Sequence, residues 1–372
     1  MVQKKILVVD DSALMRRVAS DIINSDSRYH VEDTARDGRE ALDLLMKKKY
    51  DAVVLDVNMP RMGGLELLRE LQRERINVRV MMFSSTTGEG TKETIEALEL
   101  GAIDFVQKPD NLVEIKEDKF KQKFLDLLAT IAKASLVSGV GTFTAKTSEG
   151  RTTPRTASSF TRLTGGAQNV TLRKSTGGTG GDKVVAIACS TGGPKALQKV
   201  IPMLPANLNA PVLLVQHMPA GFTRSLAERL DSLSKIHVKE AEDGELVQKG
   251  TVYIAAGGKH MKVGRSGGGI KIYYTDEPPR EGVKPAANYM YESLIDCPYS
   301  EICCAVLTGM GADGTAGIKN LDEQKKTYVI AQDEATSAVY GMPKAIALTG
   351  LVNEIVPLEK VAGAIEKNVG VK

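Results

Sequence analysis

Tryptophan is absent from the 372 residues, and phenylalanine and tyrosine bring the aromatics to only 5%. A surface that binds nucleic acid by stacking bases on aromatic rings is therefore not indicated. An excess of one charge is lacking too. The 49 basic residues stand against 46 acidic ones, a formal net charge of +3, so no nucleic-acid partner is expected. No apolar run approaches the roughly 20 residues needed to span a bilayer, and direct membrane insertion is not expected. Met1-Val2-Gln3-Lys4-Lys5 leads straight into a short apolar run ended by two aspartates, which reads as a strand rather than a signal peptide. Only four cysteines occur, Cys189, Cys297, Cys303 and Cys304, and none forms a C-x-x-C pair. Reduced, buried thiols in a cytoplasmic chain are expected, not metal ligands or disulfides.

What is present suits a globular α/β protein of two domains, since 372 residues exceed one ordinary core and 42% of them are hydrophobic. Ile6-Leu7-Val8-Val9, Ala52-Val53-Val54-Leu55, Val80-Met81-Met82-Phe83 and Asp104-Phe105-Val106 are short apolar runs separated by helical patterns. Continuous apolar strands alternating with helices predict a parallel sheet covered on both faces. From about Ser135 to Asp182 the periodicity dissolves into Gly, Ser and Thr, with six basic residues against two acidic ones. That composition predicts a flexible tether. Regular runs resume at Val184-Val185-Ala186-Ile187-Ala188, Pro211 to Val215 and Ile302 to Leu307. Gly250 to Ala255 and Gly269 to Tyr274 read as shorter strands of a hairpin-like insertion. The expected division is a domain over 1–130, a linker over 131–182 and a second, doubly wound domain over 183–372.

Acidic residues mark the strand ends of the first domain. Asp10-Asp11 follow the first strand, Asp56 the third, and Lys108-Pro109 the fifth. Strand C-termini of such a sheet converge on one edge, where ligands bind. Carboxylates gathered there repel one another unless a hard divalent cation lies among them, and oxygen-only ligands suit Mg²⁺. Asp56 would then act as a nucleophile toward a phosphoryl donor, with Lys108 pairing with the phosphoryl group and Ser84 hydrogen-bonding it, although strand ends also often carry ordinary loop acids.

A second constellation follows the strand at 184–188, where Ser190-Thr191-Gly192-Gly193 forms a tight turn entering a helix. Taken alone, such a turn is more often a phosphate-binding or plain capping loop. A serine there presents its hydroxyl at the sheet edge, with helix-start N–H groups able to stabilise an oxyanion. A hydroxyl needs a base, and the chain has four histidines: His30, His217, His237 and His260. His217 directly follows a buried strand, as does the segment holding Asp313. Cys189 is a rival nucleophile, and His260 falls in the expected hairpin as a rim residue.

The tandem acids, Asp56-Val57-Asn58-Met59-Pro60, Ser84-Ser85 and Phe105-Val106-Gln107-Lys108-Pro109 together resemble a response-regulator receiver domain over residues 1–125. The resemblance implies a five-stranded flavodoxin-like fold phosphorylated on Asp56. It further implies Mg²⁺ held by Asp11, Asp56 and the Asn58 carbonyl with Asp10 alongside, and Ser84 and Phe105 reorienting as a switch. Spacing alone leaves Phe105 equally readable as core. Ala186 to Gly193, Val215-Gln216-His217-Met218-Pro219, Leu307 to Gly314 and Gly341-Met342-Pro343 resemble the catalytic domain of the chemotaxis protein-glutamate methylesterases, the CheB family, from about residue 183 to the end. That resemblance implies Ser190 as nucleophile, His217 as general base and then acid, Asp313 orienting His217, and the N–H groups of Met310 and Thr191 as the oxyanion site. One departure stands out: Ala188 occupies a position where the family usually has glycine, which would strain a residue needing positive φ.

The resulting expectation is a cytoplasmic, monomeric hydrolase that releases methanol from glutamate methyl esters of chemoreceptors and deamidates receptor glutamines. A histidine kinase supplies the phosphoryl group, and the esterase chemistry needs no cofactor. Two rivals make different predictions. A receiver fused to a nucleotide-binding module would use Ser190 to Gly193 as a phosphate cradle. A DNA-binding regulator would need a basic recognition helix, and none is evident.

Overall fold

The computed structural model describes residues 3–85, 88–109, 117–134, 170–173 and 181–371. Most of the sequence assigned to the tether, 135–169 and 174–180, lies outside them. The N-terminal unit runs β1 (Lys4–Val9), α1 (Ala13–Asn24), β2 (Tyr29–Ala35), α2 (Gly38–Lys47), β3 (Ala52–Leu55), α3 (Gly64–Arg73), β4 (Val80–Ser84), α4 (Gly88–Glu99), β5 (Asp104–Gln107), α5 (Asp118–Ile131). Its five strands are parallel in the order β2-β1-β3-β4-β5. Period-two alternation sorts β1 between two cores. Ile6 and Val8 pack with Ile22 and Ile23 of α1 and Phe124 and Leu128 of α5. Leu7 and Val9 pack on the other face with α2, α3 and α4.

The C-terminal unit runs β6 (Lys183–Cys189), α6 (Gly193–Val200), β7 (Val212–Gln216), α7 (Phe222–Leu233), β8 (His237–Glu240), β9 (Thr251–Ile254), β10 (His260–Ser266), β11 (Gly269–Thr275), α8 (Ala287–Ser293), β12 (Glu301–Val306), α9 (Thr315–Asp322), β13 (Thr327–Gln332), α10 (Met342–Ala347), β14 (Val352–Val356), α11 (Leu358–Val369). Seven parallel strands are ordered β14-β13-β12-β6-β7-β9-β8, and β10 and β11 form a separate antiparallel pair. Val185 and Ile187 face α6, α7 and α11, while Val184 and Ala186 face α8, α9 and α10. No helix among the described residues is long and apolar enough to cross a membrane.

Several local expectations change. Gly250 to Ala255 is not half of a hairpin: β9 pairs in parallel with β7 and β8, because its Val252, Tyr253 and Ile254 are apolar enough for burial on both faces. The true partner of β11 is β10, a strand hidden by its polar residues and Gly264. His260 is not on the rim. It is fully buried at the start of β10, its Nδ1 accepting the Ala286 N–H and its Nε2 against the Pro278 carbonyl. Ala188 lies in the interior of β6 without positive φ, so its methyl imposes no strain. Part of the expected tether, Val170 to Arg173, lies against the sheet edge. There the Arg173 N–H donates to Val352 O at 2.8 Å and its guanidinium engages Asp322 and Thr327.

Candidate active site

Register explains why the second constellation assembles. Cys189 of β6 faces Gln216 of β7, so the next residue of each strand, Ser190 and His217, emerges at the same edge. The His217 N–H donates to Cys189 O at 3.2 Å, and the Ser190 N–H donates to Thr308 O at 3.0 Å, tying the ends of β7, β6 and β12 together. The turn between Ser190 and α6 needs glycine. Gly192 has φ of 77°, and a side chain there would also run into Ala338. Pro194 then opens α6, where its missing N–H costs nothing.

His217 is nearly buried, and its Nε2 lies 2.7 Å from Asp313 Oδ2. Its Nδ1 is buried and has no partner among the described residues. Asp313, 3% exposed, also accepts the N–H groups of Ala287 at 2.6 Å, Asn288 at 3.0 Å and Gly314 at 2.9 Å. Burial alone would raise its pKa. The hydrogen bond and charge of His217, with the Ala287 and Asn288 N–H groups, outweigh that and hold the carboxyl below its ordinary value. Asn288, absent from the sequence reading, accepts the Gly314 and Gly317 N–H groups on its Oδ1 and so fixes the Asp313 loop against α8. Nothing local marks this asparagine, whose burial is purely tertiary. The rival nucleophile Cys189 is fully buried, its Sγ donating to Gln216 Oε1 at 3.0 Å. Burial pushes the thiol above its ordinary pKa, which leaves little thiolate. The N–H groups of Met310 and Thr191 make no hydrogen bond to another described residue.

The acidic pocket assembles by the same logic of register. Val9 faces Leu55, so Asp10 and Asp56 follow side by side. Carboxylate oxygens of Asp10, Asp11 and Asp56 lie within 4.8 Å of one another, a donor set that suits a hard cation. Lys108 Nζ bridges Asp10 Oδ2 at 2.7 Å and Asp56 Oδ2 at 2.8 Å. Burial raises the Asp56 pKa to about 6, Asp10 adds to the rise, and Lys108 opposes it. Asn58 is exposed on the loop after β3. The Ser84 hydroxyl is hydrogen-bonded to that of Thr94 in α4.

The two units meet over the Ser190 edge. Phe105 is not merely receiver core: its ring packs at 4.4 Å against Phe222, the first residue of α7. Beside it, Asp104 lies next to the Thr191 side chain, on the His217 side of the seam. Burial raises the Asp104 pKa, with Thr191 and the Phe105 N–H opposing. The Thr130 hydroxyl of α5 lies 2.8 Å from Met310 Sδ. Along α4 and α7, Arg229 engages Glu99 through two bonds of 2.5 and 2.8 Å, Lys92 lies 3.3 Å from Glu228, and Thr91 pairs with Ser225 at 2.9 Å.

Comparison with known proteins agrees with both halves. Residues 185–365 match the CheB methylesterase family, and residues 6–118 match the response regulator receiver domain. A protein-glutamate methylesterase/protein-glutamine glutaminase of Geobacillus kaustophilus is 43% identical over 98% of this chain and 99% of its own. One of the same name from Bacillus subtilis is 41% identical over 97% of each chain. The solved CheB methylesterase catalytic domain of Thermotoga maritima is 40% identical over 51% of this chain and 99% of its own, with a TM-score of 0.49. Likeness on this scale runs through receiver, connection and catalytic unit alike, and the chain belongs to the family of protein-glutamate methylesterase/protein-glutamine glutaminases.

Proposed function

We propose that the chain hydrolyses glutamate methyl esters, and deamidates glutamines, on chemoreceptors, and that phosphorylation of Asp56 releases this activity. The observation that carries the chemistry is the His217–Asp313 pair beside Ser190. Asp313 engages Nε2 and thereby selects the tautomer whose Nδ1 is a free acceptor. Nδ1 takes the proton as Ser190 Oγ attacks the glutamyl carbonyl, and the tetrahedral oxyanion forms at the Met310 and Thr191 N–H groups. His217 then protonates the leaving oxygen, releasing methanol, or the leaving nitrogen, releasing ammonia in the glutamine reaction. The acyl group left on Ser190 is cleared by water that His217 deprotonates in turn.

Asp10, Asp11 and Asp56, with the Asn58 carbonyl, would hold Mg²⁺ in the receiver, where the ion neutralises charge during phosphoryl transfer from a histidine kinase. The docked receiver supports an inhibitory role, because Asp104 and Thr130 lie on Thr191 and Met310, where a receptor helix would enter. The four free, buried cysteines suit a reducing, cytoplasmic setting. A monomer suffices for this mechanism, since each proposed group comes from one chain. The test is methanol release from methylated receptor membranes, with and without a small phosphodonor. Ser190→Ala should abolish release and Asp56→Asn should lose the stimulation. Release that persists in Ser190→Ala would refute the chemistry.

A further inference from the structure

Two features remain unexplained by that chemistry: the fully enclosed Gln216, and the Gly341-Met342-Pro343 sequence, which lies well apart in the chain from Ser190, His217 and Asp313. Gln216 is 1% exposed and meets three residues of the site. Its Nε2 donates to Ser190 O at 3.0 Å and to His217 O at 3.2 Å, and its Oε1 accepts the Cys189 thiol at 3.0 Å. Gly193 leaves the room for this, since a side chain there would collide with Gln216 Oε1. The Gly193 N–H also donates to Ser190 O, at 2.7 Å, so that carbonyl is held from two directions.

A trans peptide is planar, with its C=O and the following N–H pointing oppositely. The one cis bond among the described residues is Lys284–Pro285, so the Ser190–Thr191 peptide is trans. Fixing Ser190 O therefore fixes the direction of the Thr191 N–H, which has no protein partner among the described residues. The second oxyanion donor repeats the arrangement. Gly309 O accepts the N–H groups of Gly341 at 3.1 Å and Met342 at 2.9 Å, and the next N–H, that of Met310, is likewise unpartnered among the described residues. The backbones approach closely: a side chain on Gly341 would lie 2.6 Å from Gly309 O, and one on Gly309 would lie 2.8 Å from Ser190 Cβ.

We propose that Gln216 is a positioning residue for the hydrolysis: by holding the Ser190 carbonyl it aims the Thr191 N–H at the oxyanion, as the Gly341-Met342 turn does for the Met310 N–H. This rests on the reading of Ser190 as nucleophile. Gln216→Glu preserves shape and the acceptor for Cys189 but replaces the amide donor with a carboxylate that repels two carbonyls. Gln216→Leu removes every polar contact at similar volume.

The experiment measures kcat and KM for methanol release from methylated receptor membranes. Alongside, it measures affinity for a boronic acid analogue of the glutamyl side chain, which becomes tetrahedral on Ser190. In Gln216→Glu, kcat is expected to fall about ten- to a hundredfold, a fraction of the roughly 10²–10³ that follows from deleting an oxyanion donor outright. KM should stay within about twofold, and boronate affinity should fall with kcat, because only the tetrahedral state uses the donor. Gln216→Leu guards against a charge-specific artefact, and thermal midpoints identify a variant that has not folded. Wild-type kcat in folded Gln216→Glu and Gln216→Leu would overturn the proposal, as would a loss confined to KM or a fall in kcat without weaker boronate binding. Ser190→Ala separates the two levels. An inactive Ser190→Ala with fully active Gln216 variants refutes the positioning role alone, whereas an active Ser190→Ala refutes the nucleophile.

Discussion

Reversing one charge in the seam between the units should switch the enzyme on without phosphorylation. Glu99 of α4 holds Arg229 of α7 bidentately, and its side chain is 17% exposed against 45% for the arginine. A half-exposed pair of this geometry contributes about 1 kcal/mol, and opposing two guanidiniums there in Glu99→Arg costs about as much again. The docked form then loses about 1–2 kcal/mol, which changes the ratio of docked to undocked molecules by a factor of about 5–30. Arg229→Glu should act in the same direction, by placing two carboxylates together. In the double variant Glu99→Arg with Arg229→Glu the pair is rebuilt in reverse, and repression should return. The assay is basal methanol release without phosphodonor: several-fold faster in each single variant, close to wild type in the double. Unchanged basal rates in both singles, or a double variant as fast as its parents, would refute the seam as the inhibitory contact.

Other consequences follow from the two sites. Asp313→Asn should lower kcat by roughly 10³–10⁴-fold with little change in KM, because the amide disturbs the tautomer and orientation of His217; steady-state kinetics on methylated membranes decides. His217→Ala should abolish turnover while circular dichroism and thermal midpoint stay near wild type. Asp56, with a pKa raised to about 6, is mostly ionised above that pH and protonated below it. Mg²⁺ affinity measured by calorimetry should therefore weaken as pH falls through about 6, and a flat profile over that range would contradict the assignment.

The connection between the sites is short. Asp104, at the start of β5, touches Thr191, and Lys108, just past its end, touches Asp10 and Asp56. At about 3.3 Å per residue, four steps along the strand separate the two contacts by about 13 Å. Phe105 lies between them against Phe222. A rearrangement at the acidic pocket would thus have only a short distance to travel to the cleft.

Legibility elsewhere followed burial. The strands buried on both faces, β1, β3, β4, β6, β7 and β12, stand out as apolar runs, and the acids, serine and histidine at their ends fall on common edges of parallel sheets. Tyr29–Ala35 was missed because an edge strand carrying His30, Glu32 and Asp33 has no apolar signature. Gln216 and Asn288 were invisible as site residues, since a buried amide is chosen by the carbonyls and N–H groups around it, which come from distant segments. The pairing of α4 with α7 could not be read either, because nothing in either helix specifies a contact with residues more than a hundred positions away.

The central claim is that the receiver covers the Ser190 cleft and is displaced on phosphorylation. Its most direct test compares basal methanol release by the full chain with release by residues 170–372 alone, at equal enzyme concentration and without phosphodonor. Release should be faster from the shortened chain and insensitive to phosphodonor, approaching the rate of the phosphorylated full chain. An unchanged or slower rate from the folded catalytic unit would contradict the inhibitory role assigned to Asp104, Phe105 and Thr130.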